Sequence, residues 1–289
     1  MKKALFIAWL LCIATLASAN KIDNLKTIRD VKKFIKNNIR DKEWLNDIFI
    51  DRKPVDTSAY GKNKFFKIDL DNNGRTDLVV NGRYILIIMD KGRNEYTANV
   101  IDRPHCEEYL QNITYPNKAP LIIVKGIQTV YEDYKPVDTI SRLDTFVAKF
   151  DDIYEYNEHP DSLGVSEIRL INYECHGTCP IFKLIITADR KITYEATKYN
   201  EIEGEFEAVL DTVSFNKLIG ILNYIKLNSL QDKYPNALDI RDPFYLVIKF
   251  NNGQTKEITS DLPTETFGLG NFYDQLFKLR TTLEWESKL

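Results

Sequence analysis

The stretch Tyr173-Glu174-Cys175-His176-Gly177-Thr178-Cys179-Pro180 holds the side chains best equipped for chemistry. Two cysteines four positions apart in an oxidising compartment are expected to form a disulfide. The ring would be very small, Gly177 would ease its turn, and Pro180 would fix the exit into the next strand. Other uses of the same atoms stay open. Cys106 could pair with Cys175 or Cys179 and leave one thiol over. Cys175 and Cys179 could be a redox pair, although thioredoxin-type pairs have two residues between the thiols and sit at a helix N-terminus. Cys106, Cys175, His176 and Cys179 would make a Cys₃His soft-metal set, with His105 beside Cys106 as another imidazole, but the spacing is not that of a zinc finger. Heme attachment is not supported, because Pro180, not His, follows Cys179.

A second candidate is Asp69-x-Asp71-x-Asn73-Gly74-x-x-Asp77. Oxygen ligands at alternate positions converge when the chain turns at the glycine, and hard cations want such an oxygen cage. The first nine positions match an EF-hand loop, but the twelfth is Val80 instead of Glu and the flanks read as strands. The loop resembles the calcium loops between strands in integrin-type extracellular repeats. That resemblance implies Ca²⁺ held by Asp69, Asp71, Asn73 and Asp77, weakly, on the order of 10⁻⁴–10⁻³ M without a bidentate Glu. The bland alternative is a polar turn whose Asp side chains cap backbone N–H groups.

The compartment follows from residues 1–19. Lys2 and Lys3 are a charged n-region, residues 4–16 an apolar core that contains Cys12, and Ala17-Ser18-Ala19 a small-residue cleavage site. The apolar run is shorter than the ~20 residues a bilayer span needs, and no small residue precedes Cys12 as a lipoprotein site would want. Cleavage before Asn20 and export to the periplasm or beyond are expected, with no transmembrane segment afterwards. Losing Lys2 and Lys3 leaves 37 basic against 42 acidic residues, interspersed and without a basic stripe, which argues against nucleic acid. Sixteen Tyr, 15 Phe and many β-branched residues favour strands.

The elements that must hold these sites read as an α+β chain in two regions, each an antiparallel sheet with helices packed on one face. The domains expected are residues 20–157, a linker at 158–164 containing Pro160 and Gly164, and 165–289. In the first, Leu25, Ile28, Val31, Phe34, Ile35 and Ile39 share one helix face, with Asp23 or Asn24 as the cap. A polar stretch at 51–64 with Pro54 and Gly61 follows. Strands are expected at 65–70, 78–80, 84–89, 96–101, 121–131 and 146–156, with turns at 71–74 and Asn81-Gly82. The second region reads ββββ-α-ββ-α. Its strands are 167–173, 182–187, 192–199, 205–210, 244–250 and 255–259. Its helices begin at an N-cap Ser214 and near Asn271.

Cys175-His176-Gly177-Thr178-Cys179-Pro180-Ile181-Phe182 resembles the Cys-x-Gly-x-Cys-Pro-x-aromatic signature of the bacterial domain of unknown function 6438. The likeness runs from about residue 167 to 283. It implies an exported protein and no reaction. The family often has Tyr where Phe182 stands. No Gly-x-Ser-x-Gly, His-Glu-x-x-His or phosphate-cradling loop occurs. The first expectation is therefore an envelope module, non-enzymatic, that binds a protein or glycan or is structural. Two alternatives remain: a thiol- or metal-dependent envelope enzyme using Cys175 and Cys179, and a calcium-stabilised adhesion or glycan-binding module.

Overall fold

The structure is a computed structural model that describes residues 20–39, 64–103, 106–116, 119–132, 135–175, 177–234, 244–260 and 266–288. The leader expected at 1–19, the polar stretch 51–63, His105 and His176 lie outside these residues. The fold is α+β and mostly strand. Two compact units form: the first ends at Leu143 and the second begins at Asp144, apart from Arg103, which belongs to the second.

In the first unit a 3-10 turn (Lys21–Asn24) leads into α1 (Ile28–Asn38). The helix cap is Thr27, not Asp23 or Asn24. Thr27 Oγ1 accepts from the Asp30 N–H at 3.2 Å and Asp30 Oδ2 accepts from the Thr27 N–H at 2.8 Å. This reciprocal box satisfies two orphan donors, while Asp23 and Asn24 belong to the preceding turn. Strands β1 (Phe65–Ile68), β2 (Asp77–Asn81), β3 (Ile85–Gly92) and β4 (Glu95–Ile101) pair antiparallel in that order. Val31, Phe34 and Ile35 of α1 pack on Leu78, Val80, Leu86 and Ile88. Val79 and Ile87, on the opposite face, are also fully buried. That explains why β2 and β3 read as continuous apolar runs instead of alternating ones.

Strands β5 (Cys106–Thr114), β6 (Leu121–Glu132) and β7 (Lys135–Lys149) follow as an antiparallel ladder. Neither β5 nor the first part of β7 was expected from the sequence. Both carry polar residues on each face, so period-two alternation is weak. The end of β7 pairs with β8 (Asp152–Glu155) in the second unit.

From β9 onward the second unit has the order expected, with one short strand added at the end. Strands β9 (Val165–Asn172), β10 (Ile181–Thr187), β11 (Lys191–Lys198) and β12 (Gly204–Val209) precede α2 (Thr212–Tyr224). Strands β13 (Phe244–Phe250) and β14 (Thr255–Ser260), helix α3 (Phe267–Thr282) and β15 (Glu286–Ser287) complete it. The antiparallel sheet order is β14-β13-β9-β10-β11-β12-β15. Leu170, Leu184, Tyr194, Leu246 and Ile258 lie in one buried row. They share their face with Phe182 and Phe244, whose rings meet Phe277 of α3. The helices therefore cover this face.

Two helix starts differ from expectation. Helix α2 is capped by Asp211, whose Oδ1 accepts from the Ser214 N–H at 2.9 Å, so Ser214 lies inside the first turn. Helix α3 begins at Phe267, before Asn271, because Glu155 takes its first N–H groups: Phe267 N donates to Oε1 at 2.6 Å and Gly268 N to Oε2 at 2.9 Å. Residues 157–163 are tied to the end of α2. The Asn157 N–H donates to Tyr224 Oη, the Asp161 N–H to the Asn223 carbonyl and the Leu163 N–H to Asn223 Oδ1.

Candidate functional sites

The first site is the turn between β1 and β2. Asn72 and Gly74 both take positive φ there, at 56° and 79°. This reverses the chain so that carboxylate oxygens of Asp69, Asp71 and Asp77 come within 4.8 Å of one another. Asp69 accepts from the N–H groups of Asn73 (3.0 Å) and Gly74 (2.9 Å). Asp71 accepts from Lys91 Nζ at 2.8 Å. Asp77 is fully buried and accepts from the Leu70 and Asp90 N–H groups, each at 2.8 Å.

Asn73 is turned to other work. Its Oδ1 accepts from the Arg75 N–H at 2.8 Å, and its amide donates to the Asp90 carbonyl at 2.9 Å. Three of the four residues proposed as ligands thus bring carboxylates together, while Asn73 braces the loop against β3. Burial pushes the Asp77 carboxyl up to about 7; the Asp90 and Leu70 N–H groups oppose this, and the like charges of Asp71 and Asp69 add to it. Lys91 and Asp90, which contribute a cation and a brace, went unnoticed in the sequence because they lie on β3, across the sheet from the motif.

The second site is the loop from β9 to β10. Cys175 and Cys179 form a disulfide with their Cα atoms 5.9 Å apart. While it is intact neither sulfur is a thiolate, so neither can serve as nucleophile or soft-metal ligand. Cys106 stays outside the disulfide, buried on β5, where Arg142 Nη2 lies 3.9 Å from its sulfur. A side chain at Gly177 would meet Cys175 Sγ only at 3.9 Å, an ordinary contact, so close packing does not demand glycine there.

The loop is braced from below. Asn172, at the end of β9, donates its amide to the Pro180 carbonyl, and its Oδ1 is buried without a hydrogen-bond partner. Phe182 is 2% exposed and packs edge-on against Tyr194 and Phe277. The Arg280 guanidinium lies over it at 4.7 Å, a cation–π contact. Asn200 ties this corner together. It accepts from Tyr194 Oη at 2.8 Å and Arg280 Nη1 at 3.1 Å, and it donates to the Ile181 carbonyl at 2.9 Å. Phe182 thus uses its ring as an anchor for this corner. Above the brace, Tyr173 (46% exposed), Glu174, Gly177 and Thr178 face solvent.

Residues 166–280 match the family described as Domain of unknown function (DUF6438). No curated protein and no solved structure matches the chain. The DUF6438 segment takes in β9 to β14 and nearly all of α3, so the disulfide loop, Asn172, Asn200 and Arg280 fall within it. The Asp69–Asp77 turn lies outside it.

The DUF6438 sheet has a second face, turned away from α2 and α3. Its side chains alternate with the buried row and are half-buried or exposed, apart from Val247. Glu167 pairs with Arg169 (2.6 Å) and Lys249 (3.1 Å), Lys183 with Glu195 (2.8 Å), and Tyr245 Oη donates to Glu257 at 2.6 Å. Among the described residues no helix is long and apolar enough to cross a membrane.

Proposed function

We propose that the protein is an exported module of the cell envelope that binds a protein or glycan, or holds a structure together, without catalysing a reaction. The observation that carries this reading is the Cys175–Cys179 disulfide closing a solvent-facing loop at one end of the DUF6438 sheet. A disulfide is stable in an oxidising compartment, and an exposed loop held rigid by a covalent ring loses little entropy when it meets a partner.

The test is site-specific photo-crosslinking in the envelope of the producing cell. A photo-reactive side chain replaces Tyr173 in one variant and Val213, which is 78% exposed on α2, in another. A discrete adduct at Tyr173, absent at Val213 and lost in Cys175→Ser/Cys179→Ser, is expected. Equal labelling at both positions, or an adduct indifferent to the disulfide, would overturn the reading.

A second reading is favoured by the convergence of Asp69, Asp71 and Asp77. In it the β1–β2 turn takes a calcium ion in place of the Lys91 charge and stiffens the first sheet. Its role is structural, and calcium should raise the stability of the chain where Asp77 is ionised.

A further inference from the structure

Strand β7 is much longer than the strand that covers its outer edge. β8 pairs only with its last residues, Phe146 to Lys149, and the Tyr156 N–H reaches the Thr145 carbonyl at 2.7 Å. Every residue from Lys135 to Ser141 is exposed. Val137, Ile140 and Leu143 are 51%, 52% and 67% exposed. Among the described residues no strand pairs with the outer edge of this segment. A long exposed edge with apolar side chains is a template for another strand.

The direction of the edge groups follows from Thr145. Its carbonyl points outward, and N–H and C=O of one residue point to the same side of an antiparallel strand. Counting back by two, Leu143, Ser141, Thr139 and Val137 offer their backbone groups at the edge. Side chains alternate too: Asp138, Ile140 and Arg142 share one face, and Val137, Thr139, Ser141 and Leu143 the other.

The sequence Val137-Asp138-Thr139-Ile140-Ser141-Arg142-Leu143 reads as its own complement when reversed. We propose that this edge pairs antiparallel with the same edge of a second copy of the chain, on a two-fold axis through Ile140. Ile140 then faces the partner's Ile140, and Thr139 faces the partner's Ser141. Asp138 lies opposite the partner's Arg142, and Val137 opposite the partner's Leu143. Apolar meets apolar, hydroxyl meets hydroxyl, and opposite charges meet. The backbone agrees with this register. Thr139 with the partner's Ser141, and Val137 with the partner's Leu143, are hydrogen-bonded pairs. Ile140 and Asp138 fall in the intervening pairs, where side chains approach most closely.

An unrelated strand would need alternation but not this match of charge sign. An isologous dimer requires self-complementarity. Arg142, 38% exposed, lies on the face where the partner's Asp138 arrives; its guanidinium reaches across Gly126 of β6 to within 3.8 Å of Glu108 and swings outward to meet the partner's carboxylate. Pairing joins the two β5–β6–β7 ladders into one continuous sheet and removes both open edges.

The test is sedimentation or light scattering of the mature chain over about a hundredfold range of concentration, on wild type, I140K and T139P. The wild type should dimerise. I140K sets two ammonium groups face to face and should weaken the dimer about tenfold or more. T139P removes an outward N–H and should do the same. Both substitutions touch exposed positions, so circular dichroism should not change. On oxidation I140C should give a covalent dimer, since directly opposed residues are within disulfide reach, whereas T139C, which faces Ser141, should not. A wild type that stays monomeric throughout, an I140K dimer of undiminished strength, or equal cross-linking of T139C would each overturn the proposal.

Discussion

Raising the pH without divalent cations should weaken the first sheet, and calcium should restore it only where Asp77 is ionised. Asp77 opens β2 and is fully buried. Burial, with Asp71 and Asp69 adding like charge, pushes its carboxyl from 3.8 up to about 7. Because the folded value is the higher one, the folded chain holds the proton more tightly. The resulting stabilisation is complete below about pH 4 and is lost as the pH climbs through about 7. At 1.36 kcal/mol per pH unit the ceiling is about 4 kcal/mol. The Asp90 and Leu70 N–H groups favour the anion and the neighbouring turn is wet, so roughly half of that is expected.

Calcium replaces the proton. With a dissociation constant on the order of 10⁻⁴–10⁻³ M, about 5 mM calcium adds roughly 1–2 kcal/mol near pH 8 by mass action. Near pH 5.5 the proton competes about thirtyfold, which leaves about 0.5 kcal/mol or less. The assay is urea unfolding with calcium or with chelator at both pH values, on wild type and Asp71→Ala. Stabilisation near pH 8 that fades near pH 5.5 and vanishes in Asp71→Ala is expected. An equal gain at both pH values, a gain that survives Asp71→Ala, or none near pH 8 would refute the reasoning.

Other outcomes follow from the second unit. Cys175→Ser/Cys179→Ser should lower stability by about 2 kcal/mol, the loop-closure value for so short a ring, measured by denaturant midpoint under non-reducing conditions. Glu155→Ala leaves the Phe267 and Gly268 N–H groups without their carboxylate, so α3 should start later and stability should fall by about 1–3 kcal/mol; amide exchange in the first turn of α3 reports it. Leu184→Ala, in the fully buried row under the helices, should cost about 2–5 kcal/mol, read from the same midpoint.

What could be read in the sequence was local. The helix stripe of Val31, Phe34 and Ile35 and the order of strands and helices along the second unit follow from periods of 3.6 and 2. The Cys175–Cys179 ring and the Asp69–Asp77 turn were also legible, because each is a short motif whose atoms must be close whatever the rest of the chain does. Elements shaped at long range were not. The start of α3 depends on Glu155, 112 residues earlier than Phe267. Asn172, Asn200 and Arg280 are ordinary polar residues until β9, β11 and α3 meet around Phe182. The first part of β7 mixes polar and apolar residues on both faces, so alternation gave no sign of it. At α2, Ser214 and Asp211 are both sound caps by type; Asp211 prevails because its carboxylate takes both the Ser214 N–H and, at 2.5 Å, the Ser214 hydroxyl.

The central claim is an exported chain whose DUF6438 loop is closed by its own disulfide. Intact mass of the protein purified from the cell envelope, after denaturation and alkylation without reductant, tests both parts at once. The account predicts a chain beginning at Asn20 with one alkylated thiol, at Cys106, and a peptide in which Cys175 and Cys179 remain joined. Three alkylated thiols, or a Cys106 linkage, would contradict the closed loop, and a chain that keeps residues 1–19 would contradict export.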